Sequence, residues 1–207
     1  MEPPSSLRRA VLVTVLLAYA GFIGLGLINS LIGVAWPAIR STFGLPIDAL
    51  GAVLVCNTIG YMVASAASGQ ILARLNVGLM LAISCGIATV SLIGISSAPT
   101  WPVLVGLSLA VGLASGSIDA GLNAYAASHF SPRVMNWLHA CFGIGATIGP
   151  AIMTVVLSAR LGWRVGVLIV GLIQLVLVLC FGLTRQRWSD ARPSAGSHND
   201  RKGGAPE

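Results

Sequence analysis

Residues 75–118 read LNVGLMLAISCGIATVSLIGISSAPTWPVLVGLSLAVGLASGSI and contain no Asp, Glu, Lys or Arg. A helix that crosses a lipid bilayer needs about 20 predominantly apolar residues, so this stretch is twice too long for a single crossing. In its middle, the segment APTWP at residues 98–102 carries two prolines, which disfavour a continuous helix. The stretch therefore predicts two membrane-spanning helices joined by a short turn.

Four further runs without charged residues lie on either side of this stretch, and each is long enough for one crossing. We therefore predict six spans, at approximately residues 10–35, 48–72, 77–97, 102–127, 134–158 and 164–184. The composition agrees, because 56% of the 207 residues are hydrophobic and 9% are charged, against about 25% charged residues in soluble domains. The predicted fold class is an all-α membrane protein, with the lipid bilayer as its main partner.

The charges in the loops predict the orientation, because Lys and Arg favour the cytoplasmic side. One side would carry three basic residues, Arg40, Arg160 and Arg164. The side that holds both termini would carry nine, namely Arg8, Arg9, Arg74, Arg133, Arg185, Arg187, Arg192, Arg201 and Lys202. Both termini are therefore predicted to be cytoplasmic, and the expected location is the inner cell membrane.

Three regions follow from this topology. Residues 1–9 form a short cytoplasmic lead, residues 10–184 form the six-helix bundle, and residues 185–207 form a cytoplasmic tail. The tail is rich in Gly, Pro, Ser and charge, a composition typical of disorder. The net charge of +6 is explained by this loop bias, so no nucleic-acid partner is expected.

A weak internal repeat relates the two halves of the bundle. Gly26-Leu27 and Ala73-Arg74-Leu75 recur 86 residues later as Gly112-Leu113 and Ala159-Arg160-Leu161. This offset carries helices one to three onto helices four to six. Because each unit crosses the membrane an odd number of times, the second unit would enter the membrane from the opposite side. The pattern predicts two inverted three-helix repeats, which are common in secondary transporters.

Asp119 is the only acidic residue in the interior of a predicted span. Its burial in a membrane costs about 2.5–3.5 kcal/mol, and such residues are usually functional. Asp119 lies on one helical face with Gly112, Gly116 and Asn123. Helix packing would explain the glycines, and solvation by lipid headgroups would explain an acid near a helix end. At about 12 Å from the inner end, Asp119 is too deep for that solvation, so we predict a functional carboxylate.

Helix five carries a second polar face with Asn136 and His139. A histidine titrates near neutral pH, although a single intramembrane histidine is often only an interhelical hydrogen-bond donor. The loop between helices four and five is short, so we expect His139 and Asp119 to face one cavity. They would then couple directly or through water, with Asp119 and His139 carrying protons and Asn123 and Asn136 lining the cavity.

Other residues in the spans are polar or small. Asn29 on helix one and Asn57 on helix two are candidates for the substrate cavity, with helix packing as the alternative for each. On helix five, Gly145 and Gly149 are spaced for close helix contact, and Pro150 predicts a kink.

The sequence contains no arrangement typical of a cofactor, metal site or enzyme. Four cysteines lie in predicted helices without C-x-x-C spacing, at Cys56, Cys85, Cys141 and Cys180. Neither H-E-x-x-H nor G-x-S-x-G occurs, so an intramembrane enzyme is not expected and no cofactor is predicted.

The stretches GLASGSIDAGLNAYA at residues 112–126 and VMNWLHACFGIGATIGP at residues 134–150 resemble helices four and five of the major facilitator superfamily. More narrowly, they are similar to the branch with fucose–proton symporters and fungal bypass-of-stop proteins. The resemblance covers about residues 10–188, the amino-terminal half of that fold. It implies a cavity lined by helices one, two, four and five, a protonatable carboxylate at Asp119 and a sugar contact at His139.

The chain departs from the family pattern at three places. Ala73 stands where the signature between helices two and three has Asp, which leaves the gating ion pair open. Gly33 stands where the symporters have an acid, which weakens a sugar assignment. Met153-Thr154 stands where drug–proton antiporters have Gly-Gly.

The resemblance also implies twelve helices in two halves, whereas this chain holds one half. We therefore expect a half-length secondary transporter, coupled to protons and carrying a small solute such as a sugar. Its partner would be a second copy or a second six-helix half, because one half cannot open a site alternately to both sides. The alternative is a truncated, non-transporting membrane protein or a membrane partner subunit.

Overall fold

The computed structural model describes residues 5–188, with side chains from Val11 onward. It contains six α-helices, each long and apolar enough to cross a membrane, which confirms the predicted number of spans. They are α1 (Ser5–Phe43), α2 (Leu50–Arg74), α3 (Val77–Ser96), α4 (Trp101–His129), α5 (Pro132–Ser158) and α6 (Trp163–Thr184). Short 3₁₀ turns precede α2 at Ile47–Ala49 and follow α6 at Arg185–Trp188.

Local chemistry explains why the connections are short. The side chain of Asn76 caps α3 by accepting a hydrogen bond from the backbone N–H of Leu79 at 2.7 Å. Proline occupies the first turn of both α4 and α5, where its missing N–H costs nothing. Gly162 precedes α6 with a φ of 83°, a conformation that side-chain-bearing residues rarely adopt.

Helix α1 is longer than predicted, because it continues beyond residue 35 through Pro37 to Phe43. Membrane helices tolerate proline when neighbouring helices support the chain. Here the indole N–H of Trp163 donates to the hydroxyl of Thr42 at 3.0 Å. The ring of Phe43 also packs on Trp101 and Trp163, with centroids 6.3 and 6.4 Å apart. Contacts with α4 and α6 therefore hold the last turns of α1.

The helices pair mainly across the two halves of the chain. Helix α2 packs chiefly against α4, α1 against α5, and α3 against α6 and α4. The expectation that α4 and α5 are close neighbours is wrong, because each contacts α1 far more than it contacts the other. All these helices are apolar on most faces, so a short connecting loop does not determine which helices pack together.

Two helix crossings bring backbones into direct contact. At the α1–α5 crossing, Gly26 and Gly145 each lie against a backbone carbonyl of the other helix. At the α2–α4 crossing, Gly60 and Gly112 do the same. A Cβ at any of these four positions would overlap with that carbonyl. Small residues at such crossings allow the close approach that stabilises helix pairs in membranes.

The segment after α6 corrects part of the predicted tail. Residues Arg185–Trp188 form a 3₁₀ turn, and the side chain of Trp188 is fully buried. Its ring packs on Tyr125 and Phe181, with centroids 4.7 and 5.5 Å apart. Burial of this large ring outweighs the polar character of its neighbours. The rest of the predicted tail, residues 189–207, and the first four residues of the lead lie outside the described residues.

Candidate functional site

Asp119 joins α4 to α2 through a hydrogen bond. The phenol of Tyr61 on α2 donates to one carboxylate oxygen, Oδ2, at 2.6 Å. The amide of Asn123, one turn further along α4, donates to the other oxygen, Oδ1, at 3.0 Å. Both oxygens therefore have a partner, and both partners are neutral. We refer to Tyr61, Asp119 and Asn123 as the carboxylate network.

Glycines position the carboxylate network. Gly112 lies against the backbone carbonyl of Asn57, and Gly116 lies against the carbonyl of Tyr61. Because neither glycine has a side chain, α4 can approach α2 closely at this point. The phenol of Tyr61 then reaches the carboxylate of Asp119, which lies three residues beyond Gly116 on the same face of α4.

The carboxylate network lies deep within the bundle. Asp119 is ten residues from His129, the last residue of α4, or about 15 Å at 1.5 Å per residue. The side chain is partly buried and lies next in sequence to Ile118, which belongs to an apolar core cluster shared by α1, α3, α4, α5 and α6.

Tyr61 is the member of the carboxylate network that sequence reasoning missed. The signal was present, because a tyrosine in a membrane-spanning helix needs a partner for its hydroxyl. Its partner could not be identified, because Tyr61 and Asp119 are 58 residues apart and meet only through the α2–α4 crossing.

His139 and Asn136 lie elsewhere. Both are exposed on α5, and the ring of His139 meets Phe22 of α1 edge-on at a centroid distance of 5.6 Å. Within residues 5–188, no hydrogen bond or ring contact joins His139 to Asp119. Direct coupling of the two side chains is therefore not seen, and coupling through water remains a prediction.

Asn29 and Asn57 line one cleft between α1 and α2, with α3 and α4 forming its floor. The amide of Asn57 donates to the carbonyl of Ser108 on α4 at 3.3 Å. The amide of Asn29 donates to the carbonyl of Leu25 in its own helix at 3.0 Å. The other lining residues are apolar except Ser108, so the cleft is a largely apolar space with two amides at its edge.

The predicted packing residues of α5 face α1. Gly145 lies against the carbonyl of Ile23, and Gly149 lies against the hydroxyl of Ser30. Pro150 lies inside α5 and is partly buried. The four cysteines are free thiols. Within the described part of the chain, no group of three or more His, Cys, Asp or Glu side chains could hold a metal ion.

Comparison with known proteins identifies the family. The sequence profile of the Major Facilitator Superfamily matches residues 12–206. The chain belongs to the major facilitator superfamily. This confirms the predicted family and makes the chain a multi-pass membrane protein of a transporter family. The narrower likeness to fucose–proton symporters remains a prediction.

Two curated transporters are similar to this chain. One, the uncharacterized transporter y4wD of Sinorhizobium fredii (strain NBRC 101917 / NGR234), is 28% identical over 142 residues. The other, sodium-dependent glucose transporter 1 of Homo sapiens, is 26% identical over 142 residues. The alignments cover 64% and 67% of this chain but 36% and 27% of those two proteins. The chain thus spans about a third of the length of these relatives.

Proposed function

We propose that this chain is one half of a secondary active transporter that couples protons to the movement of a small solute such as a sugar. The observation that carries this proposal is the carboxylate network inside the membrane-spanning bundle. An ionisable side chain at this depth is costly, and in membrane proteins it typically belongs to a proton or ion pathway. The proposed role of Asp119 is to take up and release one proton during transport.

The partners of Asp119 favour a proton over a metal ion as the coupling ion. Tyr61 and Asn123 both direct donors at the carboxylate, whereas a sodium ion would need oxygen acceptors around it. The name of the human relative includes both sodium dependence and glucose. The experiment therefore compares a sodium gradient with a proton gradient and includes glucose among the sugars.

The proposal is tested by uptake into vesicles reconstituted with the full chain. D-glucose and L-fucose serve as probes, with either a proton gradient or a sodium gradient as the driving force. We expect uptake driven by the proton gradient, and we expect Asp119→Asn to abolish it while exchange of solute continues. Asp48→Asn is the matched control, because Asp48 is exposed outside the helices and should leave uptake unchanged.

Two outcomes would contradict this function. If only a sodium gradient drives uptake, the coupling ion is sodium and not the proton. Uptake that is equally proton-driven in Asp119→Asn would remove Asp119 from the coupling step.

We further propose that a second six-helix half, which we take to be a second copy, covers the exposed face of α5. The outward residues of α6 are all apolar, such as Leu172 and Leu179. By contrast, α5 exposes Asn136, His139 and Thr147. Polar side chains facing lipid are costly, so a partner half or the water-filled cavity between halves is the favourable neighbour of α5.

Cross-linking in native membranes tests this assembly. A cysteine placed at Ala140 on α5 should trap a species of about twice the 21.3 kDa of one chain. A cysteine placed at Leu172 on α6 is the lipid-facing control and should remain monomeric. A chain that transports as a strict monomer would refute the assembly.

The inverted repeat and the cytoplasmic termini are also proposals. The repeat is supported by the glycine crossings, since Gly26 of the α1–α5 crossing and Gly112 of the α2–α4 crossing are related by the 86-residue offset. The cytoplasmic termini are supported by the bias of basic residues between the two sets of loops. The orientation predicts that a cysteine at Thr100 is labelled from outside and that one at Ser131 is not. The reverse pattern would invert the topology.

The alternative is that the chain does not transport but associates with another membrane chain. It is favoured by the observation that the chain spans about a third of the length of its relatives. Vesicles containing this chain alone distinguish the two functions. Proton-driven uptake supports the transporter, whereas uptake that appears only with a second protein supports the partner subunit.

A further inference from the structure

The hydrogen bond between Tyr61 and Asp119 joins side chains of two helices and reaches a carboxyl group inside the membrane-spanning part of the bundle. At 2.6 Å it is short, as expected when a hydroxyl donates to an ionised carboxylate. Tyr61 is partly buried on α2, and the backbones around it are held by glycine contacts. Its position relative to Asp119 is therefore set by the helix crossing.

We infer that Tyr61 is a positioning residue for Asp119, which keeps the carboxyl group hydrogen-bonded to α2 in both its ionised and its protonated form. This inference rests on the proposed function, in which Asp119 takes up a proton. A carboxylate can only accept hydrogen bonds, whereas a protonated carboxyl group must also donate one. Each change of protonation state therefore changes what Asp119 requires of its neighbours.

A phenol meets both requirements. The hydroxyl of Tyr61 donates to a carboxyl oxygen of Asp119 in the structure, and it can rotate to accept a hydrogen bond when that group is protonated. The amide of Asn123 also carries a donor and an acceptor, but it lies on the same helix as Asp119. Tyr61 alone can thus serve both forms by rotation of one bond while linking α4 to α2.

The rigidity of the crossing makes this link specific. The backbone of Tyr61 lies against Gly116, and the neighbouring Gly60 lies against the carbonyl of Leu109. These contacts fix the backbone of Tyr61 beside α4, within reach of Asp119. Phenylalanine at this position would keep the ring and its packing but leave one carboxylate oxygen without its donor.

The test measures the protonation of Asp119 directly. Dicyclohexylcarbodiimide modifies protonated carboxyl groups in apolar surroundings, and peptide mass spectrometry locates the modified residue. The full chain in vesicles is labelled at a series of pH values between about 5 and 9. Asp119→Asn provides the blank, Tyr61→Phe is the variant, and Tyr19→Phe on α1 is the matched loss of a phenol hydroxyl.

We expect wild-type Asp119 to be labelled in a pH-dependent manner. At neutral pH, Asp119 in Tyr61→Phe should be labelled about ten times faster than in the wild type. The lost hydrogen bond stabilises the charged carboxylate more than the protonated group, so its loss increases the protonated fraction that reacts. Tyr19→Phe should follow the wild type. Equal labelling profiles for wild type and Tyr61→Phe would overturn the role of Tyr61 while leaving the proposed function intact.

A different result would contradict the proposed function itself. If wild-type Asp119 is not labelled at any pH, it takes up no proton, and the inference about Tyr61 falls with it. If Tyr61→Phe fails to fold, fluorotyrosines are incorporated at position 61 instead. They differ little in shape from tyrosine but have a more acidic hydroxyl. The labelling rate of Asp119 should then fall as the phenol becomes more acidic, and a rate independent of that acidity would overturn the inference.

Discussion

The α2–α4 and α1–α5 crossings have similar backbones but different side chains. At each crossing, glycines of both helices meet carbonyls of the facing helix, as at Gly60 and Gly112 and at Gly26 and Gly145. Around the α2–α4 crossing, polar side chains bond across the helices, at Tyr61 to Asp119 and at Asn57 to Ser108. Around the α1–α5 crossing, the hydroxyls of Ser30 and Thr147 bond within their own helices, and His139 has only its ring contact with Phe22.

This difference separates packing from chemistry. Glycines account for the close approach of both helix pairs, since the hydroxyls of Ser30 and Thr147 near the α1–α5 crossing bond within their own helices. The polar contacts of the α2–α4 pair are therefore additional. A costly charge in one of two otherwise similar crossings points to function at that crossing rather than to a general need of the fold.

The largest expected effect comes from adding a methyl group at a glycine where two helix backbones touch. Gly112→Ala should destabilise the bundle by about 3 kcal/mol, because the new methyl group meets a rigid backbone carbonyl rather than a flexible side chain. Gly106→Ala on the same helix is the matched control. Nothing lies within 4 Å of its Cβ position, so it should be neutral or gain up to about 1 kcal/mol from helix propensity. Unfolding in detergent measures both variants.

The same comparison on α5 tests whether the two crossings are equivalent in packing. Gly145→Ala should lose about as much stability as Gly112→Ala, whereas Gly143→Ala, which has open space around it, should not. Tolerance of Gly145→Ala together with intolerance of Gly112→Ala would show that only the α2–α4 crossing depends on backbone contact.

A smaller effect is expected from His139. Under the proposed function, His139→Gln should raise the KM for solute about fivefold, the equivalent of one neutral hydrogen bond of about 1 kcal/mol, and leave proton coupling intact. The reason is its exposed position on α5, away from the carboxylate network. Asp119→Asn should show the opposite pattern in the same uptake assay. Loss of coupling in His139→Gln would show that water does connect the two residues.

The number of helices could be predicted from the sequence, because an uncharged run of about 20 residues has few alternatives to a membrane span. The arrangement of the helices could not. Helix α3 is apolar on every side, so its sequence does not indicate which neighbour it meets. Trp188 was assigned to the tail because its polar neighbours resemble a linker, whereas its burial depends on a pocket built by α3, α4 and α6.

The candidate site was predictable only in part. Asp119 and Asn123 lie four residues apart on one helix, so their contact follows from helical spacing. Tyr61 could not be paired with Asp119 without knowledge of the α2–α4 crossing. For His139, the structure shows no direct contact with Asp119 among the described residues, and coupling through water stays a prediction.

The smallest expected effect distinguishes a bond between helices from a bond within one. Asn57 donates across the crossing to Ser108 at 3.3 Å, whereas Asn29 donates to its own helix at 3.0 Å. Hydrogen bonds between membrane helices contribute about 0.6 kcal/mol on average, so Asn57→Ala should destabilise the bundle by about that amount. Asn29→Ala should be close to neutral, because Asn29 is exposed and its bond joins no two helices. The free energy of unfolding of both variants is measured under identical detergent conditions. An equal cost for the two asparagines would mean that Asn29 also contacts something beyond its own helix, such as a partner half across the cleft.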